Sequence, residues 1–193
     1  PDAPVVAWWP GHAPAVPGED PVGTLAQRRV TDAAATSRPL HALTDRGDAY
    51  HPGDTDLAWT RLTPWRTLLA AALDQPHGTL TSAEVTAERG NPSGELLALW
   101  LGSRLDIPVE RQSSRGPGIT DVRLHAEDGE IVVSRPDGRV ATLSRPDQPD
   151  RPVALQRRDL AELVAEELRR LDPDDVYGET VRLLAHDAAA VTP

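Results

Sequence analysis

Short, continuously apolar runs mark the beginning of the chain. Residues 5–9 are apolar throughout and end at Pro10, a pattern typical of a strand covered on both faces in a parallel sheet. Residues 28–32 predict a second strand. Residues 36–54 lack a clear period, and only residues 40–43 indicate a short helix. We therefore expect early strands joined by largely irregular connections.

Amphipathic segments follow these strands. Thr63 and Pro64 predict a helix start, because threonine is a good N-cap and proline suits the first helical position. Asn91 and Pro92 open a second predicted helix. Between the two helices, residues 79–88 alternate weakly between apolar and polar and predict a strand. The order strand, helix, strand, helix is typical of an α/β fold.

The second half changes period. Short strands separated by tight-turn signals are predicted at residues 119–126, 131–134 and 140–144, with an edge strand at 152–155. Asp159 and Glu162 have the spacing of a capping box that begins a helix. A last helix is predicted around residues 175–184.

These elements together predict the fold class and the domains. We expect an α/β protein, with short, mainly parallel strands and helices in the first half and an antiparallel meander packed by C-terminal helices in the second. Residues 1–106 form the predicted α/β part and residues 107–193 the meander with the C-terminal helices. The chain does not begin with methionine, and we expect the α/β part to continue into a region upstream of it.

Composition narrows the function. The 193 residues carry a formal charge of -10, which opposes a general electrostatic grip on nucleic acid or on an anionic membrane. All 20 basic residues are arginine and cysteine is absent, so a Schiff-base lysine, a P-loop lysine and thiolate chemistry are excluded. The longest aliphatic run, residues 68–73, is far too short to span a bilayer. We predict a cytoplasmic protein without cofactor or metal.

Tryptophan beside arginine is the strongest signal for a binding surface. Trp59 and Arg61 form one such pair, and Trp65 and Arg66 form another. Both residue types are enriched at the energetic centres of protein interfaces, although a tryptophan is more often part of the core. These four residues are our predicted partner-binding surface.

An arginine and glycine loop offers a second candidate. Arg115, Gly116 and Gly118, with Arg111 nearby, could form a backbone nest and guanidinium site for a phosphate. The alternative is a plain loop before a strand. Asp54 and Asp56 could serve as paired carboxylates, but acids ahead of a helix also complement its N-terminal dipole, and this structural role is favoured. The histidines lack metal-ligand spacing.

Several segments together resemble the OpcA family, the glucose-6-phosphate dehydrogenase assembly proteins. They include Pro4 to Gly11, Arg28 to Asp32, the Trp-x-Arg-x-x-Pro-Trp-Arg segment at residues 59–66 and the Val-Ala-Thr-Leu-Ser-Arg-Pro run at residues 140–146. The lysine-free, arginine-rich style is similar to the actinobacterial branch. Family members are longer at the N-terminus, so the resemblance identifies this chain as a C-terminal part.

The resemblance implies a non-catalytic factor that promotes assembly and activation of glucose-6-phosphate dehydrogenase, the NADP-reducing entry step of the oxidative pentose phosphate pathway. It supplies no catalytic residue, and the dehydrogenase is the implied partner. The alternative function is a sugar-phosphate or nucleotide sensing domain that binds through the loop of Arg111, Arg115, Gly116 and Gly118.

Overall fold

The structure, a computed structural model, describes residues 3–190, except for the side chains of residues 185–190. The strands are β1 (Val6–Trp8), β2 (Arg28–Thr31), β3 (Asp54–Asp56), β4 (Leu80–Glu88), β5 (Val109–Ser114), β6 (Ile119–Ala126), β7 (Gly129–Ser134), β8 (Val140–Arg145) and β9 (Gln148–Ala154). The α-helices are α1 (Pro39–Asp48), α2 (Leu57–Thr60), α3 (Thr63–Leu73), α4 (Pro92–Leu105), α5 (Leu160–Glu167) and α6 (Asp175–Ala190). Short 3-10 helices lie at Pro17–Glu19, Gly23–Leu25 and Ala33–Ala35. The predicted α/β class is confirmed.

The chain divides into two compact units. The first unit combines the chain up to Arg61 with the chain from Arg158 onward, and the second unit is Leu62–Arg157. The boundary predicted between residues 106 and 107 therefore falls inside the second unit, directly after α4. The reason is that α4 connects β4 to β5, and these two strands pair in parallel within one sheet.

A parallel sheet organises the first unit. Its order is β1-β2-β3, and every pairing in it is parallel, as predicted for the early strands. Val30 of β2 packs with Leu57 and Leu163 in a buried apolar cluster. The C-terminal helices belong to this unit: α5 packs against α2, and α6 packs against α1 and β3. The sequence assigned these helices to the meander, whereas their described packing is on the parallel unit.

A six-stranded sheet organises the second unit. Its order is β5-β4-β6-β7-β8-β9, and all neighbours except β4 and β5 are antiparallel. The predicted meander is therefore confirmed from β6 to β9, and α4 packs on β4 and β5. No helix in the described part of the chain has the length and apolar content needed to cross a membrane.

Two buried arginines connect separate elements of the second unit by hydrogen bonds to backbone carbonyl groups. Arg135 is 5% exposed and donates hydrogen bonds to the carbonyl oxygens of Leu155 and Ile119 at 2.7 and 3.1 Å. Arg145 donates to the carbonyl oxygens of Ala72 and Pro76, where α3 ends. A cation at a helix C-terminus is favoured by the helix dipole. Each arginine thus joins strands or helix ends that are distant in the sequence.

Replacing Arg135 by lysine should lower the free energy of unfolding by about 1–3 kcal/mol. A lysine ammonium lacks the planar fork that reaches both carbonyl groups, so one buried acceptor loses its donor. Arg139→Lys is the matched control, because Arg139 is exposed and its side chain should tolerate the same change. Urea unfolding followed by circular dichroism measures both, and equal costs for the two variants would refute the anchoring role.

Candidate functional site

Trp59 lies in the interior of the first unit. Its side chain is 1% exposed, and its ring centroid is 5.9 Å from that of Tyr177. The indole Nε1 donates to Asp174 Oδ2 at 2.8 Å, and Asp174 Oδ1 accepts from the backbone N–H of Tyr177. Asp174 therefore caps the start of α6 and also holds the indole, so Trp59 is a core side chain that fixes a helix.

Arg61 is held by a carboxylate. Its Nη1 and Nη2 donate to the two oxygens of Asp32 at 2.7 and 2.8 Å, a bidentate pair. Burial alone would lower the pKa of Arg61, but the hydrogen bonds and charge of Asp32 and the charge of Asp56 outweigh it and raise that pKa. The Arg61 side chain remains 30% exposed, so its outer part is accessible to solvent.

Trp65 and Arg66 belong to the second unit. Trp65 is 2% exposed, and the Arg135 guanidinium lies 4.9 Å from its ring centroid. Arg66 is half-buried. The partner-binding role of these four residues stays a prediction, but their burial limits which of them a partner can contact. Both indoles are covered, so a partner could contact Arg61 of the first unit or Arg66 of the second unit but neither indole.

Asp56 is the most deeply buried carboxylate of the first unit. It is 0% exposed and accepts hydrogen bonds from the Thr31 hydroxyl at 2.6 Å and from the N–H groups of Ala33 and Ala58. Burial raises its pKa, and these three hydrogen bonds oppose the rise. Its oxygens are occupied by structural donors, and it caps α2, which confirms the structural role predicted for it.

A buried ion pair that the sequence did not reveal lies nearby in the same unit. Arg28 donates to Glu167 Oε2 through Nε at 3.0 Å and through Nη2 at 2.5 Å, and the two side chains are 4% and 6% exposed. Thr60 Oγ1 donates to the second carboxylate oxygen. Arg28 also donates to the carbonyl of Asp172. This network joins β2, α2 and α5, and it leaves no free acid or base for catalysis at this point.

The arginine and glycine loop already holds an anion. Gly118 N–H donates to Glu88 Oε2 at 3.1 Å, and a Cβ on Gly116 would lie 2.9 Å from the Glu88 carboxyl carbon. Arg111 pairs with Glu95 at 2.5 Å, while Arg115 is exposed. The Gly118 N–H thus binds a carboxylate of the chain, whereas the Gly116 N–H donates to Ser114 Oγ and Pro117 has no N–H. The nest and its phosphate site therefore stay a prediction. A phosphate here would have to displace Glu88.

Metal-ligand chemistry finds no support in the described residues. Among them, no three His, Asp or Glu side chains converge in a way that could hold a metal ion. His41 lies 3.8 Å from Asp45 on the same helix, and His125 lies 3.0 Å from Glu130. His186 lies outside the residues whose side chains are described.

Solved structures share the fold at low sequence identity. A point mutant of KijD10, a 3-ketoreductase from Actinomadura kijaniata in complex with TDP-benzene and NADP, is similar with a TM-score of 0.56 and 14% identity, over 97% of this chain and 76% of the other. The open conformation of the same enzyme gives a TM-score of 0.55 at 10% identity, over 94% and 74% of the two chains. Likeness at this identity extends to the fold alone.

Sequence comparisons identify the family. Residues 52–181 match the family model for the C-terminal domain of the glucose-6-phosphate dehydrogenase subunit, and residues 1–48 match the model for its N-terminal domain. The chain therefore contains residues that match both domains of this subunit. The putative OxPP cycle protein OpcA of Nostoc punctiforme is 38% identical over 81 residues, which are 38% of this chain and 17% of that protein. The chain belongs to the OpcA family of glucose-6-phosphate dehydrogenase subunits.

Proposed function

We propose that the chain is a non-catalytic subunit that promotes assembly and activation of glucose-6-phosphate dehydrogenase in the oxidative pentose phosphate pathway. The observation that carries the proposal is the match of residues 1–48 and 52–181 to two models that both describe a subunit of this dehydrogenase. The name of the Nostoc punctiforme relative refers to the same cycle. The dehydrogenase is the proposed partner, and neither nucleic acid nor membrane is one.

The polar groups of the first unit support a non-catalytic role. Asp56, Glu167 and Arg28 are committed to hydrogen bonds that hold elements of the unit together. A general acid or base needs a group that can reach a substrate proton, and these groups are covered by their partners. The chemistry of the complex would then belong to the dehydrogenase.

A bound protein partner activates an enzyme only by differential affinity. It must bind the active oligomer or conformation more tightly than the inactive one, since equal affinity shifts no equilibrium. We therefore expect docking of this chain to stabilise the active state of the dehydrogenase. We also propose that the chain is of the actinobacterial branch, because of its lysine-free composition, and that it acts in the cytoplasm.

Adding the purified chain to its cognate dehydrogenase should raise the rate of NADP reduction and produce a mixed complex of larger mass. Enzyme kinetics and light scattering on the same samples measure both quantities. An equal concentration of an unrelated acidic protein is the control for nonspecific stabilisation. Unchanged rate and unchanged mass at saturating concentrations would refute the assembly role.

The same assay can test whether Arg66 is part of the docking surface. We propose that Arg66 contacts the dehydrogenase directly, since it is the half-buried arginine beside the covered Trp65. Arg66→Ala should weaken the complex by about tenfold, as removal of a central interface arginine typically does. Arg139→Ala is the matched control on an exposed arginine. If the two variants bound the dehydrogenase with equal affinity, Arg66 would not be part of the interface.

A further inference from the structure

A cavity of about 260 Å³ lies in the first unit, outside the groups discussed above. Its walls come from the segment that follows β1, from the segment that follows β2, and from α1. Both strands are parallel, so both segments leave the carboxyl end of the same sheet. Ligands of open parallel sheets bind in the crevice at that end. Two of the three walls of the cavity are thus segments that begin at that end of the sheet.

The lining of the cavity is basic although the chain as a whole is acidic. Arg38, Arg46, His12 and His41 line it, against the single carboxylate of Asp45, in a chain of net charge -10. The guanidinium of Arg46 is fixed, because its Nη1 donates to the carbonyl oxygens of Pro14 and Ala15. This bond holds the segment after β1 against α1, which keeps the two walls in place.

Two of these side chains have N–H donors that no described residue accepts. Arg38 and His12 are exposed, and neither side chain forms a hydrogen bond or an ion pair with another described residue. His41 differs, since its Nε2 lies 3.8 Å from Asp45 Oδ2. A guanidinium and an imidazole that line a basic cavity and have no partner among the described side chains are available to an anion.

The backbone adds further donors on the same side. Helix α1 begins at Pro39, and its N-cap residue Arg38 provides no capping hydrogen bond. The N–H groups of Leu40 and His41 therefore lack an intrahelical acceptor. Such groups, together with the positive end of the helix dipole, favour an anion. Ser37 contributes a hydroxyl to the same wall.

We propose that this cavity binds the phosphate group of a small organic phosphate. A phosphate offers more acceptor oxygens and up to twice the charge of a carboxylate, so it matches a site with guanidinium, imidazole, hydroxyl and backbone donors better. The cavity volume is slightly below the range of about 300–1,000 Å³ typical of ligand pockets. This volume is sufficient for a phosphate with a small organic group.

This site is separate from the arginine and glycine loop and does not rest on the proposed function. In the loop, Glu88 already accepts the Gly118 N–H. In the cavity, the one acidic side chain of the lining is Asp45, which lies beside His41 and not beside Arg38 in the described contacts. The cavity could bind its ligand whether or not the chain assembles with a dehydrogenase.

Isothermal titration of the full chain at constant ionic strength tests the proposal. The probes are inorganic phosphate, glucose 6-phosphate, and glucose as the matched compound without phosphate. We expect saturable binding of both phosphates and none of glucose. Arg38→Ala and His12→Ala should each weaken phosphate binding by about tenfold, the effect of losing one good charged hydrogen bond. Arg170→Ala, at an exposed arginine of the same unit, is the control and should bind like the unmodified chain.

Specific results would overturn the assignment. The assignment is wrong if neither phosphate binds saturably, or if glucose binds as tightly as glucose 6-phosphate. It is also wrong if Arg38→Ala and Arg170→Ala change the affinity for phosphate equally. Since the substituted side chains are exposed, all three variants should keep the thermal unfolding midpoint of the unmodified chain. That midpoint, measured on each variant, separates a lost contact from a lost fold.

Discussion

Trp59→Ala is expected to lower the free energy of unfolding by about 3–5 kcal/mol. The indole is 1% exposed, so its removal leaves a cavity beside Tyr177 in the centre of the first unit. It also removes the donor that Asp174 Oδ2 accepts, and Asp174 caps α6. Denaturant unfolding followed by far-ultraviolet circular dichroism measures the loss without relying on tryptophan fluorescence.

Trp8→Ala supplies the matched control for this prediction. Trp8 lies in β1 of the same unit but is 39% exposed, so its side chain buries less apolar surface on folding than that of Trp59. Its replacement should cost clearly less than that of Trp59. Equal costs, or a Trp59→Ala variant as stable as the unmodified chain, would show that the indole of Trp59 is not a core element. The comparison also shows why Trp59→Ala is unsuited to mapping a docking surface: it is expected to destabilise the fold itself.

Elements with their own hydrophobic pattern could be predicted from the sequence. The helix predicted from Thr63 is α3, and the one predicted after Asn91 is α4, with the Asn91 side chain accepting from Gly94 N–H as a cap. The capping box of Asp159 and Glu162 is present at the start of α5. In each case the signal is local, because an apolar stripe lies within a few turns, and α4 and α5 also begin with a cap. The N-cap predicted at Thr63 is wrong: Thr63 is the first residue of α3, and the N-cap residue Leu62 makes no side-chain capping bond.

Two strands without an alternating apolar pattern could not be predicted from the sequence. Strand β3 (Asp54–Asp56) is buried yet polar, since Asp54 pairs with Arg29 and Asp56 accepts from Thr31. Strand β5 (Val109–Ser114) is polar because it lies at the edge of its sheet with most of its side chains exposed. A period-two alternation of apolar residues is absent from both, so the usual strand signal is absent too.

Helix α1 was predicted only in part, and the reason is again a distant partner. It contains Gly47 and ends at Asp48, residues that weaken an isolated helix. Only Leu43 and Gly47 of α1 are buried, and the helix packs against α6 from the other end of the chain. Tertiary packing therefore stabilises a segment whose local propensity favours a loop.

The candidate surface could be predicted only in outline. A tryptophan next to an arginine occurs both in interface centres and in cores, and the sequence does not show which neighbours will cover the indole. Here Tyr177 lies beside Trp59, and Arg135 lies over Trp65. Both neighbours are far from their tryptophan in the sequence. The cavity between the segments after β1 and β2 escaped prediction for the same reason, since its basic residues carry no local motif.

Glu167→Ala is expected to destabilise the first unit by about 3–5 kcal/mol, the usual cost of leaving a buried charge without its partner. Among the described contacts, the Arg28 side chain would then keep its hydrogen bond to the Asp172 carbonyl, while its Nε and Nη2 lose their acceptor at 4% exposure. Thr60 Oγ1 would lose its acceptor as well. Denaturant unfolding measures the cost, and no loss of stability would show that the pair is not needed.

A double-mutant cycle with an exposed reference pair separates pairing from lost packing. Replacing Arg28 by Met together with Glu167 by Leu should recover much of the loss, because two apolar side chains of similar size need no charge partner. The cycle over Arg28 and Glu167 should therefore be strongly non-additive. Arg123 and Glu130, 3.4 Å apart and 41% and 47% exposed, should give a coupling of at most about 1 kcal/mol. If Arg28→Met and Glu167→Leu simply add, the network around Glu167 contributes packing alone, and the sheet, α2 and α5 are joined by apolar contacts such as that of Val30 with Leu163.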